Sequence, residues 1–312
     1  MSLTLNLIVA VRTEKKRVFR WTQRWAWELI FRRILTGMIN EVVIAEARRG
    51  GPRHLSDDNF EWLNTLVATV TRQSPVDIPT FLETRLSNYY DFIVAFHGTR
   101  SDSAADFLTH GIRLSDREVL EQRVLERFGD NDAVRNAIAE LRQSGYERHN
   151  HGRIYLSLTK AACVNEHIHY MLHGSEYLAT VANRLGRSAE IKTVGRPLIV
   201  ECLIPQNALG SEFWRGRSFA MLEDYFARVL RPSERRQVRT SCVVVTQPIL
   251  AQNILRVHEF AEFKRTIRWN DFESNEPKQF EETRLRPLKI WNARPQLQNS
   301  WLPVPRPAHD NY

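Results

Sequence analysis

The sequence predicts a mixed α+β fold, and its patterning supports that in three ways. Short apolar runs at Phe92–Phe96, Gly152–Thr159, Pro197–Pro205 and Ser241–Thr246 have the length and the β-branched or aromatic content of strands. Before and between them, apolar residues recur every three or four positions among charges, the period of helices that pack by one face. After Phe263 all period is lost, and Trp269, Trp291, Trp301 and Tyr312 are scattered among Pro287, Pro295, Pro303, Pro305 and Pro307. The chain divides accordingly into a helical N-terminal region (1–90), a sheet-containing core (91–260) and an irregular tail rich in Trp and Pro (261–312).

Leu3 to Val11 is apolar enough to suggest a secretion signal, but no positive region precedes it and no small-residue cleavage site follows before Lys15-Lys16-Arg17. It reads instead as a first strand or helix. From Arg17 to Arg49, Val18, Trp21, Trp25, Leu29, Ile30, Ile34, Met38 and Val42 form one face of a long helix ended by Gly50-Gly51-Pro52. Ser56-Asp57-Asp58 caps a second helix carrying Phe60, Leu63, Leu66, Val67 and Val70, which Ser74-Pro75 breaks. Arginines interleaved with Trp21, Trp25 and Trp27 would suit RNA. The simpler reading, adopted here, is tryptophans in a helix-to-helix core with arginines on the wet face.

The run that begins at Phe92 is bounded by Gly98, so the strand is expected to stop at His97, leaving that imidazole held by the sheet and open to a cleft. Asp116 to Gln143 alternates charge along a helical insertion and reads as a solvated face without chemistry. It ends at Gly145, and Tyr146 to His151, polar and imidazole-rich, would line the cleft mouth before the next strand. That strand, Gly152-Arg-Ile-Tyr-Leu-Ser-Leu-Thr159, finishes in small hydroxyl residues that open a helix.

His169 and His173 stand four apart on a predicted helix, near His167, which is metal-ligand spacing. The intervening Tyr-Met-Leu lacks the glutamate of the metalloprotease pattern, and no metal is expected. Gly174-Ser175 ends one helix and caps the next, placing Glu176 in a first turn where the dipole favours its charge. Such a glutamate is either an ordinary first-turn residue or a functional carboxylate.

Bulk properties bound the rest. At 312 residues and 43% hydrophobic content the chain can bury a real core, which excludes a disordered chain. Lys plus Arg number 44 against 36 Asp plus Glu, so 44 − 36 gives +8, and the pI near 9.6 makes polyanions natural partners. Cys163, Cys202 and Cys242, odd in number and widely spaced, read as small buried residues of a reducing compartment. No apolar stretch is long enough for a membrane span, so a soluble, cytoplasmic protein is expected.

His97-Gly98-Thr99-Arg100, a helix leading into Thr109-His-Gly-Ile-Arg113, then Gly152-Arg-Ile-Tyr155 with Ser157, resemble the NAD-binding core of ADP-ribosyltransferases of the poly-ADP-ribose-polymerase and diphtheria-toxin type. The likeness runs from roughly Asp91 to Val257, about half the chain. It implies a split β-sheet and NAD+ as co-substrate, with positive charge developing on the ribose as nicotinamide leaves. By this resemblance His97 would bond the 2′-hydroxyl of the adenosine ribose, the Gly98 backbone would clamp the carboxamide beside Thr99, and Tyr155 would stack on nicotinamide. Ser157 would share a strand face with Tyr155, Arg100 would reach the pyrophosphate, and Tyr170 would cover the second face of the ring.

The family expects a glutamate at the start of the late strand, where Ser241 stands here. Glu176 first, then Glu201, are the carboxylates that would substitute, and the catalytic set becomes His97, Tyr155 and Glu176. The activity implied is mono-ADP-ribosylation of a macromolecule by a bacterial toxin or effector, of toxin–antitoxin or phage-defence type. The alternatives are an inactive transferase-like fold that binds nucleic acid or a partner, and a transferase that modifies protein. Arg148, His149, His151 and Arg153 precede the Tyr155 strand, so RNA is favoured as acceptor over DNA and protein. The tail either straps across its own domain or docks an inhibitory protein partner.

Overall fold

The computed structural model of the protein describes residues 16–52, 59–114, 116–144, 152–230, 242–260 and 289–292. The chain starts with β1 (Val18–Phe19), α1 (Arg24–Ile34), α2 (Glu41–Gly50), α3 (Glu61–Thr71) and α4 (Ile78–Tyr89). β2 (Phe92–Ser101) follows, then α5 (Ala104–His110), α6 (Arg117–Phe128), α7 (Asp132–Gln143) and β3 (Ile154–Ser157). Next come α8 (Lys160–Asn165), α9 (Ile168–His173), α10 (Glu176–Arg184), α11 (Ser188–Ile191) and β4 (Arg196–Pro205). α12 (Glu212–Leu230), β5 (Cys242–Val245), β6 (Ile254–Glu259) and β7 (Lys289–Asn292) complete the set. The fold is α+β, as the sequence predicts.

The strands form one open sheet in the order β5-β3-β2-β4-β6-β7, with β1 running parallel beside the start of β2 and every other neighbour antiparallel. Its registers are unequal. All ten residues of β2 pair with β4, from Phe92–Pro205 to Ser101–Arg196, whereas β2 meets β3 only at Phe96–Ser157. β3 is in turn paired along its whole length with β5. The sheet is thus two leaves joined at one residue pair, and from His97 onward the edge of β2 parts from β3.

One sheet face, with Ile93, Ala95, Leu198, Val200, Leu156 and Val243, packs against Phe31, Leu63, Leu82, Leu86 and Phe226 from α1, α3, α4 and α12. This is the main core. The other face, with Val94, Phe96, Ile199 and Leu203, is covered by Cys163, Ile168 and Met171 of α8 and α9. Alternation of side chains along the strands dictates this division. A satellite core joins α6 and α7 (Val124, Phe128, Ile138, Leu141) to α10 (Tyr177, Val181), so α6 and α10 hold each other as a wall outside the sheet.

Several expectations are corrected. The single helix from Arg17 to Arg49 is a strand and two helices, because Val18 and Phe19 pair with Phe92 and Ile93 and the chain turns at Gly37 (φ 87°). Asn40 then caps α2 by accepting from the Val43 N–H at 3.0 Å. The buried stripe of α1 is Trp27 and Phe31, continuing to Leu35, while Trp25, Leu29 and Val42 of the expected stripe are exposed. Tryptophan does belong to this helical core, with Trp27 buried and stacked on Trp21 at 5.4 Å. α3 stops at Thr71, with Arg72 in left-handed backbone, before Ser74-Pro75. The charged insertion is two helices separated at Gly129 (φ 84°). β2 does not end at His97, since β4 continues to pair with it through Ser101. Cys163 and Cys202 are buried as expected, but Cys242 is exposed.

Within the tail, residues 289–292 form a regular strand that extends the sheet beside β6, and Trp291 Nε1 donates to Glu259 Oε2 at 3.3 Å. That piece is a strap on the chain's own sheet. Leu3–Val11, the Ser56-Asp57-Asp58 cap, Tyr146–His151, Ser241 and the rest of the tail lie outside the described residues. Among the described residues no helix is long and apolar enough to cross a membrane.

Gly111 ties the loop after α5 to the segment after β5. Its backbone (φ 74°, ψ −153°) lies in a region that only glycine populates readily, and a Cβ there would come 2.0 Å from the Ile249 carbonyl oxygen. Ile112 and Ile249 exchange backbone hydrogen bonds at 2.8 and 2.9 Å beside it. Gly111→Ala is expected to cost about 2 kcal/mol of stability through strain of this kind. Chemical denaturation would check it, and an unchanged midpoint would show that the loop adapts.

Candidate active site

Where β2 parts from β3, the imidazole of His97 spans the gap. His97 Nδ1 lies 3.0 Å from the Tyr155 carbonyl oxygen. A carbonyl can only accept, so Nδ1 carries the proton and Nε2 keeps a free lone pair. Burial pushes the His97 pKa below its ordinary value, against the opposing pull of that hydrogen bond, so the ring is neutral at neutral pH. His97 therefore offers the cleft a hydrogen-bond acceptor at the point where the two leaves diverge.

The cleft is about 710 Å3, within the range of roughly 300–1,000 Å3 usual for small-molecule sites. His97, Thr99, Arg100, Tyr155, Tyr170 and Glu176 all line it. Tyr155 comes from β3, whose register places its side chain on the Phe96–Ser157 face, while His97 belongs by alternation to the opposite face of β2. They share the cleft because the leaves separate between them.

The far wall is set by Gly174 (φ 78°), which ends α9 where a Cβ would meet the Arg100 carbonyl oxygen at 3.2 Å. This close approach brings the first turn of α10 over the end of β2. Ser175 caps α10, and Glu176 follows it into the cleft. Glu176 Oε1 lies 2.9 Å from His169 Nε2, and the His169 ring rests on Tyr170 with centroids 4.1 Å apart. Glu176 and Tyr170, which line the cleft with Tyr155, are thus braced through His169.

Other expected site residues fall elsewhere. Gly98 does not line the cleft: its bare Cα faces α8 and α9, where an added Cβ would meet Met171 Cγ at 3.3 Å. Ser157 is buried at the vertex of the split beside Cys163, whose thiol burial pushes up to about 12. Arg100 lines the cleft, but its Nε donates to the Val194 carbonyl at 2.6 Å and its Nη2 to that of Lys192 at 2.5 Å. Its fork fastens the turn before β4 and is not extended toward a pyrophosphate.

Glu201, the second choice of carboxylate, points to the α8–α9 side of the sheet and is 5% exposed. It accepts from Arg20 Nη1 at 3.1 Å and lies 3.5 Å from His258 Nε2. Burial alone would raise its pKa, but these partners outweigh that and hold it at about 2. A carboxyl whose folded pKa lies below its unfolded value of 4.5 stabilises the protein above pH 4.5. That contribution is lost as the pH falls from about 4.5 to about 2. His173, pushed by burial and nearby cations to about 4, weakens the fold over a higher window, because the unfolded chain takes up its proton from about 6.5 downward. Melting temperature should therefore fall in two steps below pH 6.5. Glu201→Gln should flatten the lower step, and an unchanged lower step would contradict the assignment.

The sequence reading missed the outer end of the cleft. Arg113, Asp116, Arg117, Leu120 and Arg123, from the loop before α6 and from α6, line the same cleft as Arg153. Their spacing of three or four residues was the available signal, hidden by the even mixture of charges. No family model matches the chain, and none of the curated proteins compared with it does.

Proposed function

We propose that the protein is a mono-ADP-ribosyltransferase that moves ADP-ribose from NAD+ to a macromolecular acceptor, RNA, as a toxin or effector. The observation that carries this reading is the parting of the sheet beside His97, where a neutral imidazole, two tyrosines and a carboxylate from four separate elements converge. NAD+ supplies the electrophile, since its bond from ribose to nicotinamide breaks with the electron pair leaving on nicotinamide.

The chain's residues then have distinct tasks. Tyr155 and Tyr170 offer aromatic faces for the nicotinamide ring, and the lone pair on His97 Nε2 accepts from a ribose hydroxyl. Glu176 sets a negative charge toward the ribose carbon, where positive charge develops, and can take the proton of the attacking acceptor group. His169 holds the Glu176 carboxylate in place. This division of labour is mostly orientation and electrostatics, with no covalent step on the protein.

A second reading, an inactive fold that binds nucleic acid or a partner, draws on Ser241 at the position where the family expects its glutamate. Incubation with labelled NAD+ and separate pools of RNA, single-stranded DNA and protein at two salt concentrations decides between them. Label entering the RNA pool, less at high salt, is expected. Label in the protein pool alone would replace RNA with protein as acceptor, and no label anywhere would favour the inactive module.

A further inference from the structure

We infer that the outer end of the cleft, walled by Arg113, Arg123 and Arg153, is a phosphate-binding site for single-stranded nucleic acid. This rests on the proposed function only in taking the inner end, around His97, as the NAD+ site.

Arg113 and Arg123 are exposed and approach from the loop before α6 and from α6 itself, and Arg153 approaches from the start of β3. None of the three has a carboxylate partner among the described residues, whereas other arginines of the same wall do. Arg117, which also lines the cleft, shares Glu121 with Arg142. Arg184 pairs with Glu140, and Arg187 with Glu190. The helices of this side thus pair Glu121, Glu140 and Glu190 with arginines of their own, while Arg113, Arg123 and Arg153 line the concavity without such a partner. Two acidic residues share this end, Asp106 and Asp116, and the Asp116 carboxylate is occupied in accepting from the Glu118 N–H at 2.8 Å.

The apolar residues among these arginines narrow the ligand. Val119 lines the cleft while 48% exposed, and Leu120 and Phe107 line it too. Inorganic phosphate has no use for that surface. A nucleotide presents an anionic phosphate and a flat base together, and arginines spread over two walls suit successive phosphates of one strand.

The test is equilibrium binding of a fluorescent single-stranded RNA 20-mer over a series of salt concentrations, without NAD+, to the wild-type chain and to the Arg113→Gln/Arg123→Gln variant. Loss of two phosphate contacts should make the plot of log affinity against log salt shallower by about 1.4 and weaken binding at low salt at least tenfold. The corresponding Arg→Lys pair should restore the slope, and NAD+ affinity, measured separately, should not change. Unaltered RNA affinity and slope in the glutamine variant would overturn the inference, as would a loss of NAD+ affinity with RNA binding intact, which would assign these arginines to the dinucleotide. Because RNA binding is read without NAD+, wild-type chain that releases no nicotinamide refutes the transferase reading and leaves this site to be judged on its own.

Discussion

Glu176→Gln should lower ADP-ribosyl transfer by about a hundredfold or more while leaving the fold and NAD+ affinity nearly intact. The substitution keeps the shape and one hydrogen-bond acceptor for His169 but removes the charge, and losing one electrostatic stabiliser of a developing charge typically costs about 10²–10³ in rate. Glu176 is the carboxylate expected to act because Glu201, although on the same face of the sheet as Tyr155, does not line the cleft and is buried with Arg20 and His258. His169→Leu should move the rate the same way but less, since it loosens the carboxylate without removing it. Transfer that survives Glu176→Gln would leave the cleft without its charged group and return the reaction to Ser241 or to a group on the substrate.

Tyr155→Ala is expected to weaken NAD+ binding by roughly fivefold to 150-fold, the equivalent of about 1–3 kcal/mol of stacking. The ring is half-buried, and the Tyr155 backbone stays paired with Val244 of β5 and bonded to His97, so the sheet should keep its register. Tyr155→Phe should be nearly silent, because the aromatic face is what the reading uses. An isotherm for Tyr155→Ala that overlays the wild type would remove nicotinamide from this part of the cleft.

Local signals made much of this legible in the sequence. The strands at Phe92, Ile154, Arg196 and Cys242 and the caps Thr159 and Ser175 depend on short apolar runs and on hydroxyls one position before a helix. Longer-range pairing was not legible. Nothing within Val18-Phe19 shows that it will lie beside Phe92, and a two-residue strand is invisible to period counting. β6 was missed because Ile254–Glu259 mixes charge with apolar residues, its polar members Arg256 and His258 being placed by β4. α4 had a usable sign in Pro79 at its start, but Asp77 makes no capping bond there.

The site shows the same division. His97, Tyr155 and Glu176 do line one cleft; the resemblance pointed to the first two and the helix-start pattern to Glu176, although His97 lies within its strand and not at its end. Gly98 was assigned to the cleft by the resemblance and Ser157 by sharing a strand face with Tyr155, but both are buried against Met171 and Cys163 under α8 and α9 and do not line it. Arg113 is placed by the Ile112–Ile249 bridge and Arg123 by α6, which Val124 and Phe128 hold in one core with Tyr177 and Val181, tertiary facts that no local pattern shows.

The most direct test of the central claim is nicotinamide release from NAD+ by the purified full chain, with and without single-stranded RNA, compared with Glu176→Gln. The account predicts release that RNA stimulates and that the glutamine variant lacks, with both proteins binding NAD+ alike. Folded wild-type chain that binds RNA but releases no nicotinamide under any of these conditions would contradict it.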